Sequence, residues 1–514
     1  MAADRRRYGW FSQRVRENIL RPQATVTRAL SLRAGQSCYD RCIGDSFMVI
    51  EKKRLFGPAE FYRGALAIAV PIMLQQLIQS LVSLIDNFMV SGLGDVCMSG
   101  VNVAGQVLFV FMVFLNAICM SGGIFMTQFF GAKDPAGMGQ AFRFKLAAGM
   151  AAFIPYFLVT LVFPRQVLSL MLIGNTQAEL ILDEAVQYIR IMFWNGIPMT
   201  VSVCIASSLR DLGQVKTPLV VTVIATLTNT LFNWLLIYGN LGFPRLGVRG
   251  AALATVIARI LELVLFIGVY FRTKPAFAVR IADLPKIDGV LFRQILRKGA
   301  LVLFCEMVWV MSETVTTALY NGRGGADVVS GMASSFAIAN LYFVAFGGVY
   351  SAAGVLLGKT LGEGDLQRAR QEKTWLLSGS AVFGVVMTGF GCATTLLVPV
   401  VFSRLSDSAI RICRDMVFTM SLFMVPWLYM NTQQAIARAG GDTAMGAYTD
   451  AGLTIFVMIP MVFALALLTD VGPVVLYCGV KLVDVIKVVV FHFWLKKERW
   501  LRNLTTREAR METP

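Results

Sequence analysis

Histidine is almost missing from this chain: of 514 residues, only His492 is one. Catalysis through an imidazole base and a histidine-built metal centre are thereby all but excluded. Charge is scarce too, at 15% of residues where a soluble domain carries roughly 25%. The nine cysteines are scattered, several inside apolar runs (Cys119, Cys204, Cys305, Cys478), and none has CxxC spacing. Neither a disulfide framework nor a zinc site is indicated. A phosphate loop is also lacking: "GVLLGKTLGEGD" has three residues between Gly354 and Gly358, where a Walker A loop needs four to wrap a phosphate in backbone N–H groups.

What remains is oil. The composition is 56% hydrophobic and the mean hydropathy is +0.65, which makes this a polytopic membrane protein. A spanning helix needs roughly 20 apolar residues to cross a hydrocarbon core about 30 Å thick. Twelve such runs are present, near 65–90, 101–130, 146–163, 186–208, 218–238, 251–271, 299–320, 330–358, 375–402, 415–437, 443–467 and 471–495. Short cytoplasmic loops retain Lys and Arg. With both termini inside, 36 of the 47 basic residues fall in inner segments and 7 in outer loops. Basic loops beside anionic lipid account for the net charge of +16 without any nucleic-acid partner.

The near-Walker stretch has a double. Subtracting 231 from Gly354, Gly362 and Asp365 gives Gly123, Gly131 and Asp134, and the same offset pairs Gly325 with Gly94, Ser330 with Ser99 and Gly331 with Gly100. Arg210 in "LRDLGQ" and Arg438 in "ARAGGD" pair at 228. Six is even, so both halves enter the membrane from the same side, and the duplication predicts two six-helix bundles related by an axis along the membrane normal. The expected plan is an N-lobe over 61–271, an inter-lobe linker over 272–298 with Pro275 and Pro285, a C-lobe over 299–495 and a basic tail over 496–514. Residues 1–60 form a basic extension with nine Arg and four acids in its first 50 residues. It reads either as an amphipathic segment on the inner leaflet or as sequence upstream of a true start at Met48.

"PIMLQQLIQSLVSLIDNFMVSGLG", "GIFMTQFFGAKD", "TLTNTLFNWLLIYGNLGFPRLGVRGAALAT" and "KGALVLFCEMVWVMSETV" together resemble the multidrug and toxic compound extrusion (MATE) family, of bacterial DinF or NorM type, from about Phe61 to Lys497. The resemblance implies a V-shaped pair of lobes and an antiporter in the cell membrane that expels organic cations or other amphiphiles as Na⁺ or H⁺ enters. No cofactor is expected beyond that ion. The expected partners are small amphiphilic substrates and lipid, for a monomeric, non-enzymatic chain. The alternative is a lipid-linked oligosaccharide flippase or polysaccharide exporter. Such proteins commonly have fourteen spans and strongly basic cavities, whereas the membrane-embedded cations here read as Arg190, Arg259, Lys481 and Lys487.

An ionisable side chain at the centre of a spanning helix costs about 2.5–3.5 kcal/mol, so Asp86, Glu262, Glu306, Glu313, Asp415, Asp450 and Asp484 each need a reason. Asp86 lies inside "SLVSLIDNFMV" and must bind a proton or find a cation with oxygen ligands. The resemblance places a functional acid there. Asn229 and Asn233 share a helical face by their spacing of four, with Thr255 on the next span, and the resemblance implies that these join Asp86 in a Na⁺ site. Otherwise they are interhelical amide glue. Some relatives carry Asp in place of Asn233, which leaves Na⁺ against H⁺ open. Glu306 is the C-lobe coupling candidate by resemblance, with Glu313 two turns on as a second acid. Lys481, Asp484 and Lys487 read as a neutralised group, and Arg259 with Glu262 as a pair. Pro71, inside the first span, is a hinge candidate by resemblance, and Pro198 allows bending in the fourth.

Overall fold

The computed structural model describes residues 55–173, 176–402 and 405–506, so the readings placed on the N-terminal extension lie outside the described residues. Twelve spans follow in order. α1 is Ala59–Ser91, α2 Asp95–Gly131, α3 Pro135–Val162, α4 Ala178–Asp211, α5 Lys216–Tyr238 and α6 Val248–Thr273. The second half comprises α7 Gly289–Asn321, α8 Ala326–Glu363, α9 Leu366–Thr395, α10 Asp407–Leu422 continuing as Met424–Ala439, α11 Gly446–Leu468 and α12 Pro473–Lys496. Among the described residues, nine helices are long and apolar enough to cross a bilayer. Of the other three, α7 carries Glu306 and Glu313 and α12 carries Lys481, Asp484 and Lys487, while α10 is interrupted at Phe423 into two segments of 16 residues each.

The repeated landmarks mark matching helix ends. Asp134 and Asp365 cap α3 and α9, accepting from the Gly137 and Arg368 N–H groups at 3.0 and 2.9 Å. Such a cap satisfies donors that the first helical turn cannot. Gly94 and Gly325 precede α2 and α8. A Cβ on Gly100 would meet α4 at Glu184 and Ala185, and one on Gly331 would meet α10 at the Ala409 carbonyl and Ile412. The same close helix approach is thus made in each half. "GVLLGKTLGEGD" lies almost wholly within α8, whose end Gly364 closes in the left-handed region with φ +83°.

The halves meet through exchanged helices: α1 packs on α8, α7 on α2, and α2 on α8. At one end of the bundle the duplicated glycines face each other's backbone. A Cβ on Gly131 would come 2.0 Å from the Lys359 carbonyl oxygen, and one on Gly362 would come 1.9 Å from that of Gln128. The segment after α12 closes this seam. The Gln128 amide donates to the Ala439 and Arg502 carbonyls at 2.7 and 3.2 Å, and its oxygen accepts from the Leu504 N–H at 2.7 Å. Trp500 is fully buried beneath it.

Several boundaries differ from the sequence reading. α7 starts at Gly289 on the capping side chain of Asp288, ten residues before the apolar run, because Arg293, Arg297 and Lys298 extend the helix beyond the oil. The connection between the halves is correspondingly shorter. α1 runs unbroken through Pro71. α4 tightens to a 3₁₀ turn at Phe193–Asn195, just before Pro198, whose missing N–H removes a helix bond there.

Gly362→Ala is expected to lower the unfolding temperature of the detergent-purified protein by the equivalent of at least about 1 kcal/mol, since the helices must part to admit the methyl group. Gly354→Ala, where a Cβ meets nothing within 4 Å, serves as the matched control and should leave the transition unmoved.

Candidate functional site

The N-half brings together Asp86, Asn229, Asn233 and Thr255 from α1, α5 and α6. Asn233 Nδ2 donates to Asp86 Oδ1 at 2.8 Å and to Asn229 Oδ1 at 3.3 Å. Thr255 Oγ1 lies 3.3 Å from the Asn229 amide and returns its own hydrogen to the Ala251 carbonyl at 3.0 Å. Tyr188 on α4 adjoins Thr255 and Asp86. As oriented, Asn229 turns its oxygen toward Asp86 Oδ2, at 2.7 Å; turning the amide over makes that contact a donated hydrogen bond. Two oxygens so close need a proton or a cation between them, or a flipped amide. Asn233 Oδ1 is buried without a partner.

No Lys or Arg approaches Asp86 as an ion pair among the described residues. The donor set is therefore one carboxylate with neutral oxygens, the composition that hard cations accept. No group of three or more His, Cys, Asp or Glu that could hold a metal ion occurs among the described residues. A single negative charge suits a monovalent ion better than a divalent one, because burial leaves uncompensated charge costly.

The C-half is built differently. A cavity of about 480 Å³ is lined by Glu306, Glu313, Asp450 and Asp484 with Arg438, Lys481 and Lys487. Arg438 donates to Glu306 and to the Tyr350 hydroxyl, both at 3.1 Å. Lys487 lies 3.0 Å from Asp450 and 3.4 Å from Asp484, and Lys481 lies 3.2 Å from Asp484 and 3.8 Å from the centre of the Trp427 ring. A π-helical turn at Gly446–Ala451 presents Asp450, which also accepts from Gln434 at 2.8 Å. Glu306 is thus committed to a guanidinium. Glu313 lines the same cavity. Asp415 is an exposed neighbour of Arg414, 3.8 Å away.

A second cavity of about 490 Å³ lies between the halves, lined by α1, α2, α4, α5 and α6 on one side and α7, α8 and α10 on the other. Here the structure corrects the count of embedded cations. Lys145, which the sequence placed in a loop, is fully buried in α3, 2.5 Å from Asp211 and bonded to Ser207 and Ser208. Arg438 is buried as well, and Arg210 lines the cavity. The Arg259–Glu262 pair spans 2.7 Å. Lys145 escaped the sequence reading because its partner lies 66 residues away; the only available sign was a lysine inside "QAFRFKLAAGM".

Asp211→Ala should destabilise the purified protein by about 3–5 kcal/mol, because it strands the Lys145 ammonium in a dry interior. Adding Lys145→Met to that variant should recover most of the loss in thermal unfolding.

The MatE family model matches residues 71–235, a stretch that contains Asp86, Arg210, Asn229 and Asn233. A probable multidrug resistance protein NorM of Thermotoga maritima is 24% identical over 62% of this chain and 68% of its own length. Among solved structures, a MATE protein in its bent conformation superimposes with TM-score 0.76 at 16% identity, covering 85% of this chain and 95% of that one. A multidrug resistance MATE family transporter of the MOP superfamily, in an outward-facing conformation, gives 0.76 at 17% identity over 89% and 98%. Twelve helices in two duplicated bundles thus share the fold of these MATE structures.

Proposed function

We propose that this protein is a secondary active efflux transporter, exporting amphiphilic compounds in exchange for Na⁺ or H⁺ through alternating exposure of the cavity between its halves. The observation that carries this reading is the Asp86 carboxylate, held by neutral amides and paired with no basic side chain among the described residues. A half-buried carboxylate without a counter-cation is expected to acquire one from solution or take up a proton, and either event ties its charge to the ion gradient.

The coupling ion is cargo here. Asp86, with Asn229, Asn233 and Thr255, would receive it, and the unpartnered Asn233 oxygen supplies a further lone pair. Ion arrival changes the charge of α1, the helix that packs on α8 of the opposite half. That gives the site a lever on the seam between halves, with Pro71 as the point of bending. Release to the other side then requires the Gly131–Gly362 contact and the Gln128 bonds to open. In the C-half, Glu306 would act in coupling only if its bond to Arg438 is exchanged, while Glu313 is the acid left to take a proton or a cationic substrate. The basic seam end is taken as cytoplasmic, in a cell membrane. A sugar-lipid exporter would call for a strongly basic cavity, whereas Lys145, Arg259 and Arg438 each have a carboxylate partner, which leaves Arg210 as the unpaired cation of the lining among the described residues.

Right-side-out vesicles carrying the protein and loaded with rhodamine 6G should expel it when an inward Na⁺ gradient or an inward proton gradient is imposed separately, and Asp86→Asn should reduce gradient-driven efflux to the background of vesicles lacking the protein. Efflux by Asp86→Asn at the wild-type rate would contradict this assignment.

A further inference from the structure

Comparing the two halves residue by residue exposes a charge that one half neutralises and the other does not. Arg210 and Arg438 are the penultimate residues of α4 and α10, and both line the cavity between the halves. Arg438 is held by Glu306 on α7 and Tyr350 on α8. The offset of 231 takes Tyr350 to Cys119 on α2. Glu306 maps to Gln75 by that offset, or to Gln76 if the equal lengths of α1 and α7 are aligned end to end. Both are glutamine. The N-half has therefore replaced a carboxylate and a phenol with an amide and a thiol around the equivalent guanidinium. Gln75 spends its amide on Thr222, at 2.9 Å.

The other carboxylates that act on Arg210 are Asp211 and Glu262. Asp211 is bonded to Lys145 and Glu262 to Arg259. No hydrogen bond or ion pair engages the Arg210 guanidinium among the described residues. It lines a cavity of about 490 Å³ together with the neutral groups of Gln75, Gln76, Asn116 and Ser207 and with Asp211, Glu262 and Glu306, three acids already paired with Lys145, Arg259 and Arg438. An arginine left unpaired in such a place is costly unless something supplies the missing oxygens, and its planar fork matches carboxylates, phosphates and sulfonates.

We infer that Arg210 is an oxyanion-binding subsite of the central cavity, so that the transported amphiphiles include anionic or zwitterionic compounds whose acidic group docks on this guanidinium. The inference rests on the cavity being the transport passage proposed above, and it narrows the class of substrate. The rest of each such molecule would lie against the apolar wall formed by Ile72, Met112, Met120 and Ile124.

Two dyes that share a xanthene core but differ in charge, anionic carboxyfluorescein and cationic rhodamine 6G, test the subsite by fluorescence polarisation on the full-length protein in phosphatidylcholine nanodiscs. Arg210→Gln should weaken carboxyfluorescein binding by roughly tenfold or more, the loss of one charge-assisted contact, while rhodamine 6G binding strengthens. Arg210→Lys should keep most of the carboxyfluorescein affinity. Glu306→Gln, which frees Arg438, should shift carboxyfluorescein the other way, toward tighter binding. Opposite signs from two substitutions in one cavity cannot come from general unfolding. Unchanged carboxyfluorescein affinity in Arg210→Gln, or equal loss of both dyes, would overturn the inference.

Adding phosphatidylglycerol to the discs identifies the source of the oxyanion. Competition seen in wild type and absent in Arg210→Gln supports the subsite with a lipid headgroup as its occupant; no competition, with the dye effects intact, supports it with a soluble solute. Because these readouts are equilibrium binding, they stand apart from the vesicle efflux that tests ion coupling.

Discussion

A charge in hydrocarbon has to be answered by another charge, a proton or enough oriented dipoles, and this protein meets that constraint differently in its two halves. Around the C-half cavity, acids and bases pair off: Glu306 with Arg438, Asp450 with Lys487, and Asp484 with both lysines of α12. In the N-half, Lys145 with Asp211 and Arg259 with Glu262 are likewise closed. Asp86 is the N-half acid left out of this pairing among the described residues, a carboxylate among amides and a hydroxyl, as Arg210 is the N-half base left out of it in the central cavity. Internal pairs fix a structure because breaking them strands a charge. An acid with only neutral company is free to exchange a small cation, and from that freedom the proposed coupling follows.

The duplicated architecture gives such an exchange something to move. α1 carries Asp86 toward one end and packs with its middle on α8, where Gly347 and Gly348 admit Gln76 and Met73. The two halves meet at a seam with no side chain at the crossing: Gly131 and Gly362 let backbone approach backbone. Smooth glycine contacts form and part without interlocking side chains, whereas the Gln128 bonds to Ala439, Arg502 and Leu504 are discrete links that close the seam. A passage with alternating openings needs both properties.

Much of this plan was legible in the chain. Repeated glycines and capping aspartates are rigid requirements of backbone geometry, so Gly131 with Gly362 and Asp134 with Asp365 survive as identities where the apolar residues around them have drifted. Ion pairs within one helix, such as Arg259–Glu262, follow from spacing alone. Contacts between helices do not. Asp86 and Asn233 are 147 residues apart, and spacing could place the two asparagines on one face without saying what they faced; family resemblance supplied the acid. Lys145 and Arg438 looked like loop cations because α3 and α10 extend past their apolar runs. Glu306 looked like a free acid because its guanidinium partner is 132 residues away. The asymmetry at Arg210 emerges only when the repeat register is combined with the contacts of Arg438.

The central claim concerns one exchangeable positive charge at Asp86, and the most direct measurement is proton release from the purified protein as Na⁺ is titrated at fixed pH in weakly buffered solution. The account predicts a saturable release or a saturable Na⁺ uptake, close to one ion per chain, that vanishes in Asp86→Asn while the fold is retained. Ion exchange of the same size in wild type and Asp86→Asn would contradict it.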